Sequence, residues 1–285
     1  MIPLLDWDML KTLLAPREHA SHKADYGHVV VVGGDAGLGG AALLAAEAAA
    51  RCGAGLTSVA THPAHSAALL ARRPELMVNA IADPALLAPL LERATVVVLG
   101  PGLGQSAWSR SCFFAALTQA QTQQKTIVLD ADGLNLLSQC ETRQFHAPYD
   151  KWILTPHPGE AGRLLAKSTD AIQADRHGSA RLIQQRFGGA VILKGQGSLV
   201  CTGPTSRQKL EQCQHGNPGM ASGGMGDVLS GVCGALLAQG FDVATSARLA
   251  VCVHSKAADL VAADHGERGL LASDLYPYLR RLLNP

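Results

Sequence analysis

Apolar positions along the chain fall into two kinds of run. Short, β-branched, near-continuous runs recur at 28–34 (HVVVVGG), 56–61 (LTSVAT), 95–100 (TVVVLG), 126–130 (TIVLD), 152–155 (WILT) and 190–194 (AVILK), and longer alanine- and leucine-rich segments separate them. A strand that is apolar at every position has no solvent face, so it belongs in a sheet covered on both sides, and long apolar spacers suit crossover helices. The pattern predicts a doubly wound α/β fold with a mostly parallel sheet. The runs at 198–203 and 208–213, joined by a turn-rich connection, predict an antiparallel hairpin at one edge. After residue 222 the period becomes helical, with a glycine-entered helix to about 239, another over 242–263, and a last one capped by Ser273 and running toward Arg281.

No fixed-period repeat, low-complexity tract or long Pro/Gly/Ser linker interrupts this pattern, so residues 1–285 are expected to form one domain, with 1–27 as an N-terminal extension packed on it. Composition narrows the function classes. Hydrophobic residues make up 47% and charged residues 16%, which suits a well-buried globule, and the net charge of +1 gives no field to gather nucleic acid or an anionic membrane. Seven scattered cysteines with no CxxC pair argue against a zinc site or a disulfide framework and fit a reducing cytoplasm. The start carries Asp6 and Asp8 where an export signal would carry basic residues, and no apolar run reaches membrane-spanning length.

Open parallel sheets bind ligands beyond the carboxyl ends of their strands, so the chemistry is expected in those loops. Two loops, "GLGGAA" and "GLGQSA", imitate a dinucleotide fingerprint, but the strand after the first ends in Thr61 and His62, where a ribose-binding acid would be needed. They serve either as tight turns or as backbone donors to an anion. "SGGMGD" is stronger: it runs into an apolar helix, so Gly223, Gly224, Met225 and Gly226 would aim unpaired N–H groups and the helix dipole at one point, an anion hole. Asp227 in that first turn is either an ordinary dipole-complementing residue or a general base facing a reacting hydroxyl. "KGQGS" (Lys194, Gly195, Gln196, Gly197, Ser198) lacks Walker spacing and is either a hairpin turn or a hold on nucleotide phosphates. "TPHPGE" places His157 as a ligand contact, with Pro158 at the first helical position and Glu160 near the third. In "LDADGLN", Asp130 sits at a strand tip where it could orient Mg²⁺ waters, and Asp132 is expected to cap the next helix. His62, His65, His177 and His254 lack ligand spacing; His254, Lys256 and Asp259 read as the polar face of a helix.

Taken in order, "SHKADYGHVVVVGG", "GGAALLAAEAAARCGAGLTSVAT", "LGPGLGQ", "LDADGLNLL", "TPHPGEAGRLL", "VILKGQGSLV" and "GNPGMASGGMGDVLSG" resemble the NAD(P)H-hydrate dehydratases of the ribokinase-like superfamily, from about residue 15 to the C-terminus. The resemblance implies a three-layer α/β/α fold and a repair reaction. NADH or NADPH hydrated at C6 of the reduced ring is phosphorylated on that hydroxyl by ADP, or by ATP in some members, with Mg²⁺, and phosphate is then eliminated. It further implies that Ala41, Gly104, His157 and Asp227 contact the hydrated dinucleotide, that Asp227 is the base, and that Lys194, Gly195, Gln196, Gly197, Ser198 and Gly226 hold the adenine nucleotide. Glu160 would help organise Mg²⁺. The likeness also implies a cytoplasmic homotetramer. Many relatives carry an upstream epimerase domain; only about 27 residues precede the first strand here, so a separate epimerase is an expected partner. Met220 and Met225 depart from the small residues of the family's glycine loop. A kinase for a small alcohol, or a dinucleotide sensor using the same loops, is the alternative.

Overall fold

The computed structural model describes residues 2–140, 145 and 148–284. Nine strands form one sheet: β1 (His28–Val32), β2 (Leu56–Thr61), β3 (Met77–Ala80), β4 (Val96–Leu99), β5 (Thr126–Leu129), β6 (Trp152–Leu154), β7 (Ala190–Leu193), β8 (Leu199–Thr202) and β9 (Lys209–Gln212). Their order is β3-β2-β1-β4-β5-β6-β7-β8-β9, parallel from β3 through β7 and antiparallel for the last two pairs. The six apolar runs and the edge hairpin are therefore where the sequence pattern puts them. β3 was not predicted. It is a four-residue edge strand with Met77 and Ala80 exposed, so it lacks the all-apolar signature of the buried strands.

A short α1 (Trp7–Leu10) precedes the sheet, and the helices between parallel strands are α2 (Gly39–Arg51), α3 (Ser66–Arg72), α4 (Ala88–Arg93), α5 (Ala107–Thr122), α6 (Ala131–Gln139), α7 (Pro158–Leu165), α8 (Thr169–Ala174) and α9 (Arg176–Phe187). After the hairpin come α10 (Met225–Ala238), α11 (Val243–His265) and α12 (Leu275–Leu282). Alternation along β1 shows the three layers. Val29 and Val31 join a core with Ala45, Val232 and Val253, whereas Val30 and Val32 join one with Phe113, Leu117 and Leu137. The last helix does not start on a Ser273 cap. A 3₁₀ turn at Ala272–Asp274 precedes it, closed by the Asp274 carboxylate accepting from Leu271 N–H at 2.9 Å.

Two features aim this scaffold. From β1 the chain runs outward to β2 and β3, then returns to β4 on the other side of β1, which makes a switch point between β1 and β4. There Gly34 N–H donates to Pro101 O at 3.0 Å and Asp35 N–H to Gly102 O at 2.8 Å. Second, α10 lies tightly on α2, because Gly231 has no Cβ: one would sit 2.1 Å from the Ala45 carbonyl oxygen and 2.7 Å from Ala48 Cβ. At the far edge, residues 3–5 pair with β9, with Gln212 N–H donating to Pro3 O and Leu5 N–H to Gln212 O, so that edge is not left open.

Gly231→Val forces α2 and α10 apart and should lower stability by about 1–3 kcal/mol, as overpacking does. Gly40→Ala, in open space on α2, should instead gain up to about 1 kcal/mol. Chemical denaturation of both variants checks the pair; equal stabilities would remove the argument that α10 is seated by this contact.

Candidate active site

The ends of β5, β6 and β7 and the N-terminal half of α10 meet around Asp130. It follows β5 and occupies the N-cap position of α6, yet its side chain caps nothing there. Instead the carboxylate, 1% exposed, accepts from Thr155 Oγ1 after β6 and from Lys194 Nζ after β7, each at 2.7 Å on Oδ1, and from Ser230 Oγ of α10 at 2.7 Å on Oδ2. Burial opposes its charge, but Lys194, Thr155 and Ser230 hold its pKa below the usual carboxylate value. Both oxygens thus accept from protein donors, and Asp130 is the ion-pair partner of Lys194. Burial likewise opposes the Lys194 ammonium, and Asp130 and Glu160 prevail, raising its pKa.

The Lys194–Ser198 turn joins β7 to β8 and forms one wall of a cavity of about 620 Å³. All six residues expected to hold a nucleotide, Lys194 through Ser198 and Gly226, line it. Gly195 (φ +133°) and Gly197 (φ +63°) make the turn possible, and the Arg176 guanidinium braces it by donating to Gln196 O. Leu229, Val251 and Met220 give the cavity an apolar floor beside its polar wall. Of the four anion-hole residues, Met225 and Gly226 reach the cavity. Gly224 is the left-handed N-cap of α10 with φ +91°, and Gly223 is exposed in the turn before it. No side chain caps this helix, so its first N–H groups are left for a ligand.

A hydrogen-bonded chain crosses the strand ends on the other side. Gly104 N–H donates to Asp132 Oδ2 at 2.9 Å, Asn135 Nδ2 to Asp132 Oδ1 at 3.1 Å, and Arg163 Nε to Asn135 Oδ1 at 2.7 Å. Asp132 is therefore no N-cap: it lies inside the first turn of α6 and reaches back to the glycine loop. Ala41 stands beside the same loop, 3.0 Å from where a Cβ on Gly102 would be. His157 caps α7, its Nδ1 accepting from Gly159 N–H at 2.9 Å and Glu160 N–H at 3.3 Å, while Glu160 Oε2 accepts from His157 N–H at 2.7 Å. Burial, then Lys194 and Arg163, lower the His157 pKa and favour the neutral ring, which fits an accepting Nδ1. The ring is 50% exposed, and its Nε2 lies 3.3 Å from Glu160 Oε1.

Asp227 is partly buried in the first turn of α10. Burial pushes its pKa up to about 7, Asp130 adds to the rise, Lys194 opposes it, and Asp132 and Glu160 add smaller pushes. A carboxylate tuned to neutrality beside an open helix N-terminus is suited to take a proton from an alcohol. Sequence reasoning passed over three neighbours. Ser230 gives no local signal for its bond to Asp130, and Asp35, which accepts from Ser109 Oγ at 2.8 Å, packs beside Gly104. His254 is buried at the cavity wall rather than on a polar face, and burial lowers its pKa to about 4. Asp259, about a third exposed, accepts from Gly216 N–H and Asn217 Nδ2.

Comparison with known proteins decides the family. The model described as NAD(P)H-hydrate dehydratase matches residues 29–281. The chain belongs to the NAD(P)H-hydrate dehydratase family. It is 49% identical over 282 residues to the bifunctional NAD(P)H-hydrate repair enzyme of Coxiella burnetii, covering 99% of this chain and 55% of that protein. The chain thus spans about half the length of the bifunctional curated relatives it matches. It is 39% identical over 273 residues to the ADP-dependent (S)-NAD(P)H-hydrate dehydratase of Neisseria meningitidis serogroup B, covering 94% of this chain and 88% of that one. Among solved structures, the Bacillus subtilis ADP/ATP-dependent NAD(P)H-hydrate dehydratase co-crystallised with ATP/Mg²⁺ superposes with a TM-score of 0.86 at 27% identity, covering 99% of this chain and 98% of that one. A ribokinase-like superfamily protein of Enterococcus faecalis gives 0.89 at 30%, covering 99% of this chain and 95% of that one. The expected ribokinase-like three-layer fold is borne out.

The raised Asp227 pKa has a stability consequence whose sign is fixed. The folded state binds a proton that the unfolded chain, with an aspartate pKa of about 3.9, releases earlier, so the contribution is full below that value and is lost as pH rises through about 7. Asp227→Asn cannot titrate. Its melting temperature relative to wild type should therefore climb from pH 4 to 7 and level off above 8; a difference independent of pH would contradict the burial of this carboxylate.

Proposed function

We propose that the protein repairs hydrated NADH and NADPH, acting on the S epimer with ADP as phosphoryl donor. One observation carries the reading: a carboxylate pushed up to about 7 sits in the first turn of the uncapped helix whose N-terminus opens on the cavity that holds Lys194 to Ser198. The named relatives support the same substrate class. ADP is placed in the cavity, with Lys194, Gly195, Gln196, Gly197, Ser198 and Gly226 around it. The hydrated nicotinamide lies toward Ala41, Gly104 and His157, on the side of the Gly104–Asp132–Asn135 chain.

Ionised Asp227 accepts the proton of the C6 hydroxyl, and that oxygen attacks the terminal phosphorus of ADP. The P–O bond to AMP breaks, and charge on the transferring group is met by Lys194 and the open amides of α10. The alcohol is then a phosphoester, a far better leaving group. Phosphate departs with its bonding pair, the ring nitrogen lone pair assists, and loss of the C5 proton restores the double bond. The products are the reduced nicotinamide, AMP and phosphate.

Mg²⁺ is held in such sites by one or two carboxylates together with phosphate oxygens. The donors present fit that mode: Glu160 is a buried acid beside Lys194, and no cluster of three or more His, Cys, Asp or Glu suited to an all-protein metal cage occurs among the described residues. Bound with the nucleotide, the ion would neutralise phosphate charge. One working domain over residues 1–285, a cytoplasmic setting and a homotetrameric assembly are part of the proposal and rest on the family resemblance. Among the described residues no helix is long and apolar enough to cross a membrane.

Hydrated NADH incubated with the protein, Mg²⁺ and ADP should regain reduced-nicotinamide absorbance and release phosphate. Accumulation of a stable phosphoester of a thiazole or pyrimidine alcohol, with no recovery of that absorbance on ADP or ATP, would instead make it a kinase. Asp227→Asn should keep nucleotide binding and lose at least about 100-fold in kcat. Because the base must be ionised, wild-type kcat/KM should rise through about pH 7; a flat profile over pH 5.5–8.5 with rate-limiting chemistry would rule Asp227 out as base.

A further inference from the structure

The reaction as read uses Asp227 and Lys194 but gives Asp130 no part, although it is the most completely enclosed acid of the site. Its bonds have a particular reach. Oδ1 holds Lys194, the cation of the nucleotide turn, and Oδ2 holds Ser230, whose oxygen is also 3.0 Å from Gly226 O in the first turn of α10. The hydroxyl has one proton, and the carboxylate at 2.7 Å takes its shorter arm. Gly226 itself comes so close that a Cβ on it would lie 3.1 Å from Lys194 Nζ and 3.6 Å from Asp130 Oδ2. A single buried carboxylate thereby ties the residue expected to hold phosphate to α10 at Ser230, three residues past the expected base.

We propose that Asp130 is a positioning residue, clamping Lys194 and the N-terminal half of α10 to one another at Ser230 so that donor phosphate and base keep a fixed relation, and adding a negative charge next to the base. The inference rests on the reading of Asp227 as base and Lys194 as nucleotide ligand. The groups facing Asp227 come from four elements: Asp130 after β5, Asp132 on α6, Glu160 on α7 and Lys194 after β7. His254 on α11, beside the Met225 carbonyl, is neutral above about pH 4 and contributes no charge in the working range. Asp130 is the largest of the charges that disfavour an ionised Asp227. Its removal therefore acts in two separable ways, through geometry and through charge.

Two variants separate them. Asp130→Asn removes the charge and keeps acceptor capacity for Thr155 and Lys194. Ser230→Ala cuts the arm to α10 and leaves the charge. For Asp130→Asn the acidic limb of the pH–kcat profile should move to lower pH by at least about half a unit, and KM for ADP should rise about 10-fold. For Ser230→Ala the limb should stay in place while kcat falls about 10-fold. A purely structural role would lower the melting temperature without moving the limb. An unmoved limb with wild-type KM in Asp130→Asn, or wild-type kcat in Ser230→Ala, overturns the proposal, and Ser230→Ala decides alone if Asp130→Asn does not fold. Absence of repair by the wild-type protein would overturn the proposed function instead; calorimetric titration with ADP then tests the clamp, which expects binding to Asp130→Asn about 10-fold weaker and is overturned by equal affinities.

Discussion

A carboxylate enclosed at the carboxyl end of a parallel sheet is tolerable only if something answers its charge. Asp130 is answered by Lys194 at 2.7 Å and by two hydroxyls. Ion pairs of this kind contribute little net stability, because desolvating both charges offsets most of the attraction, while breaking one strands a charge in the interior. Geometry is what the pair supplies. Thr155, Lys194 and Ser230 come from the ends of β6 and β7 and from α10, so three backbone segments can satisfy Asp130 only in one mutual arrangement. The cavity wall, the uncapped helix start and the base all inherit their positions from it.

That arrangement also needs α10 to approach closely enough. Its sequence, MGDVLSGVCGALLA, is rich in small residues on the buried side. Gly231 lets it settle against Ala45 and Ala48 of α2, and Gly234 lets it settle against the sheet, where a Cβ would be 2.7 Å from Val98 Cγ2. Packing at these glycines lowers the helix onto the strands, and its second turn then reaches Asp130 through Ser230. Glycines inside a helix cost about 1 kcal/mol each relative to alanine, so their use here trades intrinsic helicity for proximity.

Strand positions were legible because burial on both faces leaves nowhere for polar residues, and β1 and β4 through β7 read as apolar runs. β3 was illegible for the converse reason, being short and half exposed. The site divides the same way. Glycine spacing and the first-turn position of Asp227 are local, and the chain displays them. The partners of Asp130 lie 25, 64 and 100 residues away, and which side chains meet there is set by strand order, which periodicity does not encode. Asp132 misled because an acid near a helix start suits a cap; the real cap position fell to Asp130, and Asp132 found the Gly104 amide in the loop after the neighbouring strand β4. His254 misled because a histidine among Lys256 and Asp259 looks solvated, whereas α11 is buried on that side.

The two halves of the site differ in how firmly they are held, and the difference follows the chemistry expected of each. Around Asp130 all three bonds are 2.7 Å and the two hydroxyl bonds are buried, which suits a phosphoryl group that must be met by charges of fixed position, since electrostatic stabilisation works best when nothing has to reorient. Along Gly104, Asp132, Asn135 and Arg163 the contacts are only part-buried, and the ring of His157 is half exposed. The proposed dinucleotide would enter and leave by that side, and a rim braced by side chains over an open face suits it. Asp227 stands between the two, buried enough for its pKa to reach about 7 and exposed enough for a hydroxyl to approach it. Burying it further would raise the pKa past the working range, and opening it would drop the carboxylate toward its ordinary acidity and weaken it as a base.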